Sequence, residues 1–90
     1  MAEIIKSDGA RVPTCPKNGK TFQLEEMQGI VGGYIETIRL LDGRVMVLNE
    51  EGKLKGLPVN HMATSVAGAS IFTHDVLVGD VLVCESKEIE

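Results

Sequence analysis

Tyr34-Ile35-Glu36-Thr37-Ile38-Arg39-Leu40-Leu41-Asp42-Gly43-Arg44-Val45-Met46-Val47-Leu48-Asn49 is the stretch that decides the fold. In its first half Ile35, Thr37, Arg39 and Leu41 face one way and Tyr34, Glu36, Ile38 and Leu40 the other. That alternation is the period of a strand lying on a core. Asp42-Gly43 predicts a two-residue hairpin turn of type I′. The return run is Arg44–Asn49, with Val45 and Val47 opposite Met46 and Leu48. A hairpin of 34–41 with 44–49 is therefore the centre from which the remaining elements are placed.

Upstream, the spacing of Leu24, Met27 and Val31, widened by Ile30, predicts a helix over 22–32 with Thr21 as its N-cap. Glu25 and Glu26 suit the positive end of its dipole, and Gly32 or Gly33 is a natural stop. Ile4–Lys6 reads as a first strand ended by Ser7-Asp8-Gly9. Residues 11–20 hold Pro13 and Pro16, which restrict them to a loop or an edge strand, and Asn18-Gly19 marks a tight turn. Downstream, Glu50-Glu51-Gly52 turns the chain into a short strand, Lys53–Lys55. Asn60 caps a second helix over 60–67, with Met62, Ala63 and Val66 as its apolar positions and Gly68 as its end. Val76–Val78 lead into a last strand, Val81–Cys84, and 85–90 form a charged tail. The expectation is one α+β domain over 1–90, a small mainly antiparallel sheet round the central hairpin with two short helices.

The chain has 90 residues, of which 43% are hydrophobic and 24% charged, a globular balance. Its aromatics are Phe22, Tyr34 and Phe72, too few for a base-stacking platform along single-stranded nucleic acid. Net charge is −4; residues 1–20 carry four basic side chains against two acidic, and the rest is acidic. That excess argues against binding duplex nucleic acid, which needs cations on its phosphates. No apolar run is fit to span a membrane and residues 1–9 have no signal-type apolar core, so a cytoplasmic protein is expected. Cys15 and Cys84 form no Cys-x-x-Cys and read as reduced thiols. With only His61 and His74 beside them, neither a metal nor another cofactor is expected.

Catalytic patterns are thin. Lys17-Asn18-Gly19-Lys20-Thr21 has the end of a phosphate-binding loop but Thr14 where its first glycine belongs, with Pro13 and Pro16 alongside. Gly29-Ile30-Val31-Gly32-Gly33 has the wrong spacing for a dinucleotide loop and closes a helix instead of opening one. A Cys84–His74 pair has no orienting partner. The chain reads as non-enzymatic. Two features invite a ligand. Gly32-Gly33 allows close approach just before Tyr34, whose ring can stack and whose hydroxyl can donate. The polar block 49–60 offers amides, carboxylates and Lys53, although a hairpin turn and a helix cap explain much of it.

Leu24-Glu25-Glu26-Met27-Gln28-Gly29-Ile30-Val31-Gly32-Gly33-Tyr34-Ile35-Glu36, with Asn49 through Asn60 and Ala63-Thr64, resembles the signature of a small domain-of-unknown-function family common in phages, prophages and plasmids. Gly79-Asp80-Val81-Leu82-Val83 resembles its closing strand. The resemblance covers nearly the whole chain and implies a mobile-element origin and no membrane. In that setting the expected role is a counter-defence sponge that binds and sequesters a nucleotide-derived immune signal. Its ligand residues would be Gly32, Gly33, Tyr34, Glu36, Asn49, Lys53, Asn60 and Thr64. A protein inhibitor of a host defence enzyme and a structural accessory protein are the alternatives. A chain this small, poor in aromatics, gains by burying surface against a copy of itself, so a homo-oligomer is expected.

Overall fold

In a computed structural model, which describes residues 2–71 and 75–89, the hairpin forms as β3 (Ile35–Arg39) and β4 (Arg44–Asn49). The register runs from Ile35 opposite Asn49 to Arg39 opposite Val45. Its turn differs from the expected type I′, which needs positive φ at two successive residues. Only Gly43 is left-handed, at φ 92°, and no described non-glycine residue has positive φ. Leu40 N–H donates to Arg44 O (2.8 Å) and Gly43 N–H to Leu40 O (3.0 Å), a three-residue connection closed by a glycine bulge. Asp42 holds this form by accepting from both the backbone N–H and the Nε of Arg44.

The sheet grows from β4. β5 (Val81–Glu85) pairs with it antiparallel, β1 (Ala2–Ile5) pairs with β5, and β2 (Arg11–Thr14) closes the far edge. The order is β2-β1-β5-β4-β3, antiparallel throughout. Central β5 is buried at Val81, Leu82, Val83 and Cys84, because helices cover both faces. α1 (Leu24–Val31) lies over Val45, Val47, Leu82 and Cys84; α2 (His61–Ala67) lies over Met46, Leu48, Val81 and Val83. The α+β fold with one mainly antiparallel sheet is thus as expected, and so are the hairpin, the Gly32 stop and the Asn60 cap.

Several boundaries move. The first strand is Ala2–Ile5, not Ile4–Lys6, because Lys6 N–H already closes the next turn on Ala10 O. The first helix starts at Leu24, not at 22, and Gln23 caps it in place of Thr21. Thr21 N–H is occupied by Asn18 Oδ1, and Phe22 N–H donates to Glu88 O (2.7 Å) in a bridge that ties the helix entry to the chain's end at Ile89. Leu24 is 55% exposed, so the buried stripe is Phe22, Met27 and Val31. The second helix keeps its expected end and spans His61–Ala67. Lys53–Lys55 is no strand: Lys55 N–H bonds to Glu51 O, Gly56 N–H to Lys53 O and Leu57 N–H to Gly52 O, so successive turns coil the segment. The last strand runs one residue further, to Glu85, and residues 86–88 form a turn of 3-10 helix. Phe72 and His74 lie outside the described residues.

Candidate functional site

Asn49 ends β4 almost wholly buried and anchors the loop beyond the strand. Its Nδ2 donates to Val31 O (3.1 Å) at the end of α1, and its Oδ1 accepts from Glu51 N–H (2.8 Å). The coiled loop 50–57 is thereby pinned beside the α1–β3 junction. Glycine is required inside it: a Cβ on Gly52 would stand 2.8 Å from Val78 Cγ2. The loop has a depression on each side.

The first is an open groove of about 360 Å³ lined by Gln28, Gly29, Gly33, Tyr34 and Lys55. Its floor is the bare backbone of Gly33. A Cβ there would meet Lys55 Nζ at 2.9 Å and Asn49 Nδ2 at 3.0 Å. The Lys55 ammonium lies over that floor, and the buried Asn49 amide, bonded to Val31 O, packs beneath it, where a glycine leaves room. Tyr34 is 65% exposed beside them, while its carbonyl accepts from Glu50 N–H (2.9 Å) and fixes its backbone. Lys55 has no carboxylate partner among the described residues. The groove thus sets a cation without a counterion among the described residues beside an exposed phenol ring.

The second depression, of about 170 Å³, lies on the α2 side. Glu36, Ile38, Leu48, Asn49 and Lys53 line it together with Asp75 and Val76. Here Lys53 is already paired with Asp75, and that contact holds the Asp75 carboxyl below its ordinary range. The pocket's cation is neutralised before any ligand arrives.

The eight residues expected to bind together are thus divided. Gly33 and Tyr34 share the groove, with Gly32 next to it as the left-handed cap of α1 (φ 83°). Glu36 and Lys53 face the other pocket, and Asn49 joins the two from within. Asn60 and Thr64 are brought to neither. Asn60, fully buried, donates from Nδ2 to Ile5 O (2.9 Å) and Gly79 O (2.8 Å) and accepts from Ala63 N–H (2.9 Å). Thr64 Oγ1 donates to Asn60 O and accepts from Leu77 N–H. Their polar atoms are consumed inside the fold. Lys55 and Gln28 are additions that the sequence does not single out. A strand over 53–55 would set Lys53 and Lys55 on one face; the turns send them to opposite sides of the loop.

The two thiols are far apart in character, one exposed (Cys15) and one buried (Cys84). Burial, with Glu88 nearby, pushes Cys84 up from 9.0 to about 11. Keeping that proton in the fold stabilises it fully below about pH 9, and this contribution is lost as pH rises through about 11. A thiol reagent at pH 8 should consume Cys15 alone in native protein and both cysteines in denaturant. Equal native rates would contradict the burial. No group of three or more metal-ligating side chains occurs among the described residues, and none of their helices is long and apolar enough to cross a membrane.

Compared with known proteins, residues 4–90 match the model of a family described as a domain of unknown function, DUF3846. No curated protein and no solved structure matches the chain.

Proposed function

We propose, for a chain that belongs to the domain-of-unknown-function family DUF3846, a binding role without catalysis: it holds a small nucleotide-type anion in the groove of Gly33, Tyr34 and Lys55. The observation that carries this reading is the Lys55 ammonium, without a carboxylate partner among the described residues, poised over the bare Gly33 beside the exposed Tyr34. A phosphate takes the Lys55 ammonium, and the base lies against the phenol ring. The biological use we attach to it is sequestration, in the cytoplasm, of a nucleotide-derived immune signal on behalf of a phage or plasmid. That use draws on the signature in 24–36 and 49–60, not on the groove.

Calorimetric titration with cyclic mono- and dinucleotides, ADP-ribose and AMP tests the groove. At least one of these should bind and be recovered chemically unchanged after heat denaturation. Lys55→Ala should weaken it about 10–100-fold, the value of one charge-assisted hydrogen bond. Gly33→Ala should do the same and also cost some stability, since its Cβ would displace the Lys55 ammonium and press at 3.0 Å on the Asn49 amide that is bonded to Val31 O. No binding across the panel, or equal binding by both variants, would overturn the reading.

A further inference from the structure

The two edges of the sheet are not alike. On β2, the hydrogen bond from Lys6 N–H to Ala10 O continues the register Ile4–Val12 and Ala2–Thr14, so these residues bond inward and Arg11 and Pro13 turn their backbone to solvent. Pro13 has no N–H to offer there, which blocks strand addition. On β3 the bonds from Glu50 N–H to Tyr34 O and from Leu40 N–H to Arg44 O assign the even residues to β4. Ile35, Thr37 and Arg39 therefore present their N–H and C=O groups outward, with no hydrogen-bond partner among the described residues. β3 carries no proline, glycine, lysine or bulge, and three of its five residues are β-branched. Its charged side chains are Glu36 and Arg39, of opposite sign, and neither takes an outward N–H or C=O of the edge away as Pro13 does on β2.

We infer that β3 pairs antiparallel with β3 of a second copy of this chain, and that the pairing completes the anion groove. One register satisfies all three outward residues within the strand: Thr37 on Thr37 at the two-fold axis, and Ile35 opposite Arg39. A shift that centres the axis on Glu36 sets two carboxylates face to face, which the centred register avoids. In the centred register the partner subunit's Arg39 stands across from Ile35, on the α1 side and one residue from Tyr34. Directly opposed side chains in such a pair have Cβ atoms about 5 Å apart, well within the reach of an arginine. Arg39 has no ion-pair partner in its own subunit among the described residues. It brings a second, bidentate cation to the anion held by Lys55, so each groove uses both copies. The pairing stands on the edge alone; the shared groove rests on the proposed function.

Sedimentation equilibrium of the full chain tests both parts. Wild type should show twice the chain mass of 9.7 kDa. Thr37→Pro, which removes an outward N–H and no internal bond, should give the single mass with an unchanged circular dichroism spectrum. Thr37→Cys in a Cys15→Ser background should cross-link on oxidation, since Cα atoms of a hydrogen-bonded antiparallel pair lie about 5.5 Å apart, within disulfide range. Arg39→Ala should remain dimeric and bind the nucleotide about tenfold more weakly. A monomeric wild type, with and without nucleotide, would overturn the inference, as would a dimer that Thr37→Pro leaves intact. A dimer that Thr37→Pro dissociates but that binds none of the nucleotides would uphold the edge pairing and refute the groove. Full nucleotide affinity in Arg39→Ala would refute the shared site alone.

Discussion

Asn60→Ala should cost about 3–5 kcal/mol of folding stability, the largest loss expected of any polar side chain in the protein. Asn60 has no exposed surface, and its side chain makes three bonds to three separate parts of the chain. The acceptance from Ala63 N–H is an ordinary N-cap, worth about 1 kcal/mol. The donations to Ile5 O and Gly79 O are different in kind. They join β1 to the segment entering β5 from the position where α2 starts, and alanine leaves both carbonyls without that donor in a place water does not reach. A buried group deprived of its partner costs about 1–3 kcal/mol. Asn60→Ser separates the two roles, because serine caps a helix but cannot bridge two carbonyls; it should recover only about 1 kcal/mol. Urea denaturation reads these values from the shift in midpoint. A loss below about 1 kcal/mol for alanine would mean that the capping bond alone matters.

Phe22→Ala should cost about 3–5 kcal/mol and lower Tm by roughly 15–30 °C in a domain of this size. The ring is 1% exposed and packs with Ala2, Met27, Val31 and Leu82 between α1 and the sheet. No other described aromatic side chain is buried, so no neighbouring ring fills the space it leaves. The bridge from Phe22 to the chain's end adds a second consequence. Residues 86–89 are held against the α1 entry through Phe22 N–H and Glu88 O, and loosening the ring should raise amide exchange there before global unfolding. Phe22→Leu keeps most of the volume and should cost about 1 kcal/mol. A Tm drop of only a few degrees for alanine would contradict this core assignment.

The hairpin was legible because strand alternation needs only neighbours: Ile35 to Leu41 carry their own instruction. Asn60 was legible as a cap for the same reason, since its bond to Ala63 spans three residues. Its donations to Ile5 and Gly79 span 55 and 19 residues, and no local pattern announces them. The error at the first helix has a related cause. Phe22 fits a helical stripe, but its backbone is claimed by Glu88 from the far end of the chain. Leu24 was then left to solvent. In 53–55 the alternation of lysine and leucine imitated a strand, while the glycines at 52 and 56 allowed turns to close first. That misreading hid the separation of Lys53 and Lys55, which the turns send to opposite sides of the loop. The glycine pair was legible as a helix stop, because the left-handed cap at Gly32 needs only its neighbours. What it faces depends on how the loop folds over it.

The central claim is that the groove of Gly33, Tyr34 and Lys55, and not the pocket of Lys53 and Asp75, is where a ligand sits. Titrating isotope-labelled protein with the tightest-binding nucleotide and monitoring the backbone amide resonances decides it. The expected result is saturable movement of Gly29, Gly33, Tyr34 and Lys55, with Lys53, Asp75 and Val76 still. Movement confined to Lys53, Asp75 and Val76 would contradict the claim.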